Sequence, residues 1–440
     1  MNRPTRRVSL LQVALCSGVV AATATGAVFS ADRSVRAALQ DSPKSVLDEA
    51  WQIVNREYVD GTFNKNDWKA VRQTLLSKDY PSRQQAYVAL RDALKKLDDP
   101  YTRFMDPKQF EALSSQTSGE LSGVGIRLEQ NEKTKVLTVV EPLENSPAMR
   151  AGIKTGDRIL AINGKTTKGM TVEDASNQIR GEVGTKVTLQ IGRDGASAFN
   201  LPLTRARIEL QAVRATVKQE GKNKIGYIRL NEFSSHAAEQ MERAIKNLSD
   251  QKVNAFVLDL RGNPGGLLQS SIDISRMWLD KGSIVKTVNR QGVGDTAYAN
   301  GRQLTKLPLA VLVDGRSASS SEILTGALKD NKRATVVGSQ TFGKALVQSV
   351  HSLSDGSGIA VTIAHYYTPN GTDISHKGVT PDIKVDLSDA QQKFLATNPK
   401  LIGTTQDPQY ARALNILERT ALAKPGSQQT SQRSAPANRE

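Results

Sequence analysis

Three apolar strands, each followed by a helical segment, dominate the second half of the chain and constrain its fold most. The strand-like stretches are KIGYIRL, NAFVLDL and LPLAVLV, and the helical stretches after them are AAEQMERAIKNL, GLLQSSIDISRMWL and SEILTGALKD. Strands that are apolar along their whole length indicate a buried, mostly parallel sheet with helices between the strands. We therefore predict a strand–helix alternating core over residues 209–390.

Two other patterns precede this core. Residues 41–117 contain SVLDEAWQIVNREYV and SRQQAYVALRDALKKL, whose apolar residues recur every three or four positions and indicate helices. Residues 118–205 contain short strands separated by Gly, Asn and Asp turns and interrupted by one helix at TVEDASNQIRG. We predict a helical N-terminal domain over 41–117 and a compact β-rich domain over 118–205. The chain is thus a multidomain protein with α/β and α+β parts.

The two ends of the chain have separate signatures. MNRPTRR is basic, and residues 8–30 form a charge-free, largely apolar run with small residues at Thr25-Gly26-Ala27. The same run is long enough for a membrane anchor, so residues 1–30 are predicted to be a signal peptide or an anchor of an exported protein. Residues 391–440 are predicted to form a helical segment and a disordered tail, because KPGSQQTSQRSAPANRE has almost nothing to bury.

Composition excludes several classes of function. Cys16 is the only cysteine, which rules out an intramolecular disulfide framework and a cysteine-based metal site. The four histidines have no HExxH-like pairing, so we predict no metal. The net charge is +15, but the basic residues are spread along the chain rather than concentrated as in nucleic-acid-binding proteins.

Four serines are crowded into residues 317–321, where the third apolar strand turns into a helix. Ser319 and Glu322 fit a capping box, which satisfies free amides at a helix start. Alternatively, one serine is a nucleophile, because such turns lie at the carboxyl edge of the sheet, where ligands of open α/β sheets bind. A nucleophilic serine needs a base. A candidate is Lys344 in GSQTFGKALVQ, if its pKa falls by roughly 3 units from about 10.4.

The lysine loop also resembles a phosphate-binding loop. GSQTFGK has the G-x-x-x-x-G-K spacing, but Ala345 occupies the position of the magnesium-binding Ser or Thr, and ALVQSV after it indicates a strand. We therefore do not predict a nucleotide. The loop RGNPGG at residues 261–266 either is a tight turn or lets backbone amides approach a ligand, as an oxyanion hole requires.

Taken together, five segments resemble the carboxyl-terminal processing peptidases, which are tail-specific serine proteases with a Ser–Lys dyad. The segments are DLRGNPGG, SASSSEILTGALKD, TFGKALVQ, YYTPNGTDI and GVTPDIKV, in that order. The resemblance covers about residues 45–390. It implies a PDZ domain in the β-rich region, a crotonase- or ClpP-like protease core, and no cofactor.

The resemblance also implies roles for single residues. It makes Ser319 the nucleophile, Lys344 its base and Gln348 the residue that orients the lysine. Gly265 and the backbone amide of Ser320 match the oxyanion-hole positions.

Several other positions are less determined by the resemblance. Asp330 occupies an acidic position implicated in some members, or it caps the helix end or lies in solvent. Ser317 and Ser321 are predicted to be turn and cap residues. Ser320 replaces the family's usual alanine, and His365 stands where a lysine is common.

The β-rich domain is predicted to receive a substrate tail. LSGVGIRLE looks like the carboxylate-binding loop of a PDZ domain, whose amides bind a peptide C-terminus while the peptide adds as a strand. Read alone, the G-x-G pattern also fits an ordinary turn. Arg180 matches an arginine that couples this domain to the active site in the family. The loop residues are Gly123, Val124, Gly125 and Ile126.

The resulting prediction is an exported serine endopeptidase that binds the free, apolar C-terminal tails of protein substrates and cleaves near them. The family places it in the periplasm or the thylakoid lumen, with membrane association through the N-terminal segment if that segment is retained. In a photosynthetic source, a candidate substrate is the precursor of the photosystem II reaction-centre protein. The alternatives are a PDZ adaptor on an inactive protease-like body and acyl-CoA chemistry on a similar sheet.

Overall fold

The computed structural model describes residues 42–419, and its first region is helical. The predicted leader (1–30) and the last part of the predicted tail (420–440) lie outside the described residues. Leu47, Val54 and Leu90 form the centre of the helical cluster and are almost completely buried. The elements are α1 (Pro43–Glu57), α2 (Trp68–Ser77), α3 (Arg83–Lys95), β1 (Arg103–Met105) and α4 (Pro107–Ser118).

The β-rich region is a six-stranded antiparallel sheet covered by a helix. Its strand order is β3-β4-β5-β7-β8, with β6 paired to β5, and alternate strand residues such as Val139, Leu189 and Ile191 are fully buried. A separate ribbon of β2 and β9 joins it to the rest of the chain. The elements are β2 (Glu120–Gly123), β3 (Ile126–Gln130), β4 (Leu137–Pro142), α5 (Pro147–Arg150), β5 (Arg158–Ile162), β6 (Lys165–Thr166), α6 (Val172–Ile179), β7 (Lys186–Gly192), β8 (Phe199–Thr204) and β9 (Ala206–Glu209).

The core contains the predicted buried sheet, in the order β10-β11-β12-β15-β16-β19. Strands β11, β12, β15, β16 and β19 are parallel to one another, and β10 is an antiparallel edge strand. The elements of the core are β10 (Val213–Glu220), β11 (Asn223–Leu230), α7 (Ala237–Asp250), β12 (Ala255–Asp259), α8 (Leu268–Trp278), β13 (Ser283–Asn289), β14 (Gly294–Tyr298), β15 (Leu309–Val313), α9 (Ser320–Asp330), β16 (Thr335–Gly338), β17 (Leu346–Ser352), β18 (Gly358–Tyr367) and β19 (Ile383–Lys384).

Both faces of this sheet are covered, which explains why its strands are apolar throughout. In β15, Val311 belongs to the cluster that includes residues of α7, α8 and α9, whereas Leu312 belongs to the cluster on the other face. The second face is covered by a C-terminal helix through Tyr410, Ala413 and Leu414. The C-terminal elements are α10 (Asp389–Thr397), a 3₁₀ turn (Pro399–Leu401) and α11 (Pro408–Leu417).

A second, antiparallel sheet connects the N-terminal region to the core. Its order is β1-β18-β13-β14, with β17 also paired to β18. β1 aligns Arg103 with Ala360, and Ile359 and Val361 of β18 pack into the cluster of α1–α3. The helical region therefore packs directly on the hairpin that follows the lysine loop, a contact that the sequence did not predict.

In the part of the chain that the structure describes, no helix is long and apolar enough to cross a membrane.

Candidate active site

Ser319 lies in a sharp turn between β15 and α9 with an unusual backbone conformation. Its φ is 54° and its ψ is −113°. A positive φ is strained for any residue other than glycine, and such strain is concentrated at functional sites. A strained strand-to-helix turn that exposes a serine is the known geometry of a nucleophile elbow. Of the four crowded serines, Ser319 is the one with this conformation.

The other three serines attach the turn to the glycine-rich loop. Each hydroxyl donates to a backbone carbonyl at the start, middle or end of residues 260–266. Ser317 donates to Leu260 at 2.9 Å, Ser321 to Asn263 at 3.0 Å and Ser320 to Gly266 at 3.0 Å. The three hydroxyls thus hold the glycine-rich loop against Ser319. For Ser317 and Ser321, this role is additional to the turn and cap roles predicted from the sequence.

We expect Ser317→Ala and Ser321→Ala each to lower the free energy of unfolding by about 0.5–1.5 kcal/mol, the net value of one hydrogen bond. Turnover should remain within about tenfold of wild type, because neither hydroxyl is proposed to react and a loss of this size corresponds to about a tenfold change at most. Denaturant unfolding and steady-state kinetics test the two parts separately. A loss of turnover as large as that of Ser319→Ala would assign one of these serines to the chemistry.

Glu322 connects the Ser319 turn to the lysine loop. Its fully buried carboxylate accepts hydrogen bonds from the Thr341 hydroxyl (2.6 Å) and from the backbone amides of Gly343 (2.7 Å), Ser319 (2.9 Å) and Lys344 (3.0 Å). Burial raises the pKa of this carboxyl group, although the four hydrogen bonds act in the opposite direction. Because Ser319 and Lys344 donate to the same carboxylate oxygen, their backbones are held side by side.

Tyr366 of β18 makes a second bridge between the same two residues. Its hydroxyl contacts the backbone carbonyl of Lys344 and lies 3.2 Å from that of Ser319. The side chain is 1% exposed, and burial raises its pKa well above the ordinary value. The phenol therefore stays protonated and acts as a hydrogen-bond donor.

The environment of Lys344 lowers the pKa of its amine. Burial lowers its pKa, and the positive charge of Arg103 lowers it further, while Asp99 and Glu322 oppose the change. Its Nζ atom lies 4.6 Å from the centroid of the Tyr101 ring. No hydrogen bond joins it to Ser319 in this structure, and catalytic hydrogen bonds often tighten only in the complex with substrate.

Gln348 lies in the same cleft with an unsatisfied amide. Its Nε2 atom is buried and has no hydrogen-bond partner within residues 42–419. Ser319, Lys344 and Gln348 all line one cavity of about 270 Å³. The apolar part of its wall comes from Leu113, Phe233, Leu267, Ile323, Leu346, Val347, Val350 and Ala360.

The glycine-rich loop approaches Ser319 closely. Gly265 has a φ of +103°, and a Cβ atom at this position would lie 2.9 Å from the Ser319 Cβ and 3.0 Å from the Ser320 amide nitrogen. Only glycine fits here. Of the two predicted oxyanion donors, the Gly265 amide donates to the Asn263 side chain at 2.9 Å. The Ser320 amide has no partner among residues 42–419.

A buried ionic cluster fixes the start of this loop. The Arg261 guanidinium donates to Asp259 (2.6 and 2.9 Å), to Asp407 (2.7 and 3.0 Å) and to Gln409 (3.0 Å). Burial opposes ionisation of Asp259, but Arg261, Arg229 and Tyr227 together lower the pKa of that carboxyl group. Asp407 also begins α11 as its N-cap, so the C-terminal helix holds the loop from behind the sheet. No motif in the sequence indicates this cluster.

Asp330 lies away from the cleft. It ends α9, eleven residues after Ser319, which corresponds to roughly 16 Å along a helix. Its carboxylate accepts from the Asn370 amide at 2.9 Å, as a loop anchor would.

The predicted carboxylate loop lines a separate small cavity of about 70 Å³ between β3 and α6. All four residues Gly123, Val124, Gly125 and Ile126 take part in this wall. The backbone amides of Val124 and Gly125 have no partner among residues 42–419. Arg180, at the end of α6, lies beside the loop, with its Cγ atom 4.0 Å from a Cβ built at Gly123.

A wide groove of about 1440 Å³ lies between the β-rich region and the core. It shares Ile126 with the cavity at the carboxylate loop and Glu232 with the cavity at Ser319. Residues of both candidate sites therefore border the same groove.

Comparison with known proteins identifies two parts of the chain. Residues 224–385 match the model of peptidase family S41, and residues 138–193 match a PDZ domain. The chain is 43% identical to a carboxyl-terminal-processing protease of Picosynechococcus sp., covering 85% of this chain and 89% of that protein. It is 42% identical to the chloroplastic carboxyl-terminal-processing peptidase 2 of Arabidopsis thaliana, covering 83% and 72%.

A solved structure named photosystem II D1 C-terminal processing protease has a similar fold. The two chains are 37% identical with a TM-score of 0.53, and the match covers 84% of this chain and 99% of that one. The predicted fold class, with a helical N-terminal region, a PDZ domain and an alternating protease core, is confirmed.

Proposed function

Because the chain belongs to the carboxyl-terminal-processing proteases of peptidase family S41, and is thus a serine-type peptidase, we propose that Ser319 is its nucleophile and Lys344 its general base. The observation that carries this proposal is the strained Ser319 turn, which Glu322 ties to Lys344 through one carboxylate oxygen. The lowered pKa of Lys344 supports the assignment, because a base must be neutral before it accepts a proton.

The reaction has two halves. In the first, the neutral Lys344 amine takes the proton of the Ser319 hydroxyl while Oγ attacks the carbonyl carbon of the scissile bond. Backbone amides, with Ser320 as the free donor, stabilise the oxyanion of the tetrahedral intermediate. The C–N bond then breaks, the Lys344 ammonium protonates the leaving amine, and an ester remains on Ser319.

In the second half, water replaces the leaving amine. Lys344 accepts a proton from this water as its oxygen attacks the ester carbonyl. The new intermediate breaks its bond to Oγ, the proton returns to Ser319, and a shortened polypeptide with a new carboxylate leaves. Gln348, whose amide nitrogen has no hydrogen-bond partner within residues 42–419, orients Lys344 by donating to its neutral amine.

The PDZ domain receives the substrate tail. The free amides of Val124 and Gly125 suit a terminal carboxylate, and the exposed edge of β3 suits a peptide that adds as a strand. The groove that reaches Glu232 leads the captured chain toward Ser319. The solved structure with a similar fold is named for C-terminal processing of the photosystem II D1 protein. The C-terminal tail of the D1 precursor is therefore our candidate substrate.

We expect the intact protein to cleave a polypeptide with a free, apolar C-terminus faster than the same polypeptide with an amidated C-terminus, by roughly tenfold or more. The reason is that the charge-assisted bonds from the loop amides require a carboxylate. Mass spectrometry of the products at matched times gives both rates and the cleavage site.

A matched pair of variants locates this preference in the PDZ domain. Ser176 lines the small cavity, and its neighbour Asn177 is exposed and does not. Ser176→Phe should remove the preference for the free tail, and Asn177→Phe should keep it. Equal cleavage of both tails by the wild-type protein would refute the tail-receptor role, and no cleavage of either would refute the proposed peptidase activity on such substrates.

Export completes the proposed function. The cyanobacterial and chloroplastic relatives are consistent with a periplasmic or lumenal location, as are the basic start and apolar run of residues 1–30. Expressed from its own first residue in a bacterial host, the protein should be recovered from the periplasm or its membrane. Intact-mass measurement then distinguishes a removed signal from a retained anchor, and a product found only in the cytoplasm would exclude export.

A further inference from the structure

Two charged side chains in the active-site cleft have no partner among the residues that the structure describes. Arg103 of β1 and Glu232 after β11 both line the cavity that contains Ser319 and Lys344. Within residues 42–419, the structure gives neither side chain a hydrogen bond or an ion pair. Arg103 is exposed, and Glu232 is partly buried.

Glu232 carries a cost that the fold does not recover. A partly buried carboxylate without a partner loses hydration and gains no bond, so this cost is recovered only when a partner binds. The cost is visible at Glu232, where burial alone raises the pKa of the carboxyl group. At the other end, the positive charge of Arg103 faces Lys344 without any compensating carboxylate within bonding distance.

The two charges differ in their relation to the PDZ domain. Glu232 lines both the catalytic cavity and the wide groove that reaches the PDZ domain. Arg103 lines the catalytic cavity and a separate cavity beside Asp98 and Asp99, but not that groove. A chain that enters from the PDZ domain therefore passes Glu232 before Ser319. Since the PDZ domain holds the C-terminus, the residues beside Glu232 belong to the fragment that leaves, and those beside Arg103 to the fragment that is acylated.

Resting on the proposed function, we propose that the cleft selects substrates by charge on both sides of the scissile bond. Arg103 binds an acidic side chain in the few residues before the scissile bond, and Glu232 binds a basic side chain in the few residues after it. The preferred substrate is thus a polypeptide whose apolar C-terminal tail is preceded by an acidic and then a basic position around the cleavage site.

The test uses five polypeptides that share one free tail and one cleavage site. One has only uncharged residues around the scissile bond, two have Asp or Lys before it, and two have Glu or Lys after it. The measured quantity is the ratio of kcat/KM for the two oppositely charged members of each pair. The ratio cancels any effect of Arg103 on the pKa of Lys344, because both members of a pair meet the same base.

The wild-type protein should favour Asp before the bond and Lys after it, each by about 3- to 10-fold, as expected for partly exposed charge pairs. Arg103→Glu should invert the first ratio and leave the second unchanged, and Glu232→Lys should do the reverse. Arg302→Glu, which changes an exposed arginine outside the cleft by the same charge, should keep both wild-type ratios.

The outcomes distinguish a failure of the charge selection from a failure of the proposed peptidase function. A first ratio that is the same for wild type and Arg103→Glu overturns the role of Arg103, and a second ratio unaffected by Glu232→Lys overturns that of Glu232. Cleavage of the uncharged polypeptide with both ratios near one overturns the charge selection while retaining the peptidase function. If the wild-type protein cleaves no member of the set, the proposed function itself fails.

Discussion

Ser319→Ala is expected to reduce kcat/KM for tail cleavage by about 10⁴- to 10⁶-fold, the loss typical of removing a serine nucleophile. The substitution removes only the hydroxyl and keeps the Cβ atom and the backbone amide, so the bond from that amide to Glu322 is retained. The protein should therefore still fold and bind substrate tails. Steady-state kinetics with mass-spectrometric detection of products measures the loss.

The neighbouring serines provide the control for this prediction. Ser317 and Ser321 are buried as deeply as any residue of the turn and donate to the same loop, but their hydroxyls are occupied by carbonyls. Residual turnover in Ser319→Ala comparable to that of Ser317→Ala or Ser321→Ala would mean that the nucleophile lies elsewhere.

Lys344→Arg is expected to reduce turnover as much as Lys344→Ala, by roughly 10²- to 10⁴-fold or more. Arginine keeps the positive charge but remains protonated at any working pH, so it cannot accept the Ser319 proton. An electrostatic role would survive this change, and a general base would not. Lys377→Arg, at an exposed lysine in a neighbouring loop, controls for the chemistry of the substitution.

The pH dependence of the wild-type protein gives an independent readout. Burial and Arg103 lower the pKa of Lys344, so the neutral amine forms at a lower pH than for an ordinary lysine. The rate should rise with pH and level off above that lowered pKa, and the rise should be absent from the residual activity of Lys344→Arg. Thermal unfolding and tail binding must first show that the variant is folded. A folded Lys344→Arg protein with near-normal turnover would exclude Lys344 as the base.

The sequence predicts the strand–helix core well because its signal is local. In β15, Val311 packs in the cluster on one face of the sheet and Leu312 packs in the cluster on the other face. Because both faces are covered, every position of the strand must be apolar. Ser319 and Lys344 were predicted from a resemblance rather than from physics alone. The residues by themselves allowed a helix cap at Ser319 and a phosphate loop at Lys344.

Contacts between distant segments could not be predicted in this way. The Thr102 hydroxyl accepts from the Thr362 amide at 3.0 Å across 260 residues, and nothing in DDPYTRFM indicates that β1 pairs with β18. Asp407, the N-cap of α11, likewise accepts from Arg261 across 146 residues, and no sequence pattern indicates that contact. Such bonds depend on how elements pack, and a single side chain that bonds to a remote backbone has no periodicity to reveal it.

The role of the serine cluster shows the same limit. A capping box and a nucleophile appeared as alternatives in the sequence, but the structure combines them, because the Ser319 amide donates to Glu322 as in a cap while its backbone is strained as in an elbow. The hydroxyls of the neighbouring serines bond to a loop more than fifty residues earlier in the chain.

Mapping the acyl-enzyme tests the central claim most directly. An activated ester of the substrate segment before the scissile bond makes acylation fast, so the covalent intermediate should accumulate and survive an acid quench. We predict that peptide mapping by mass spectrometry will find the acyl group on the peptide that contains Ser319, and that Ser319→Ala will carry none. An acyl group on another residue, or one that persists in Ser319→Ala, would contradict the account.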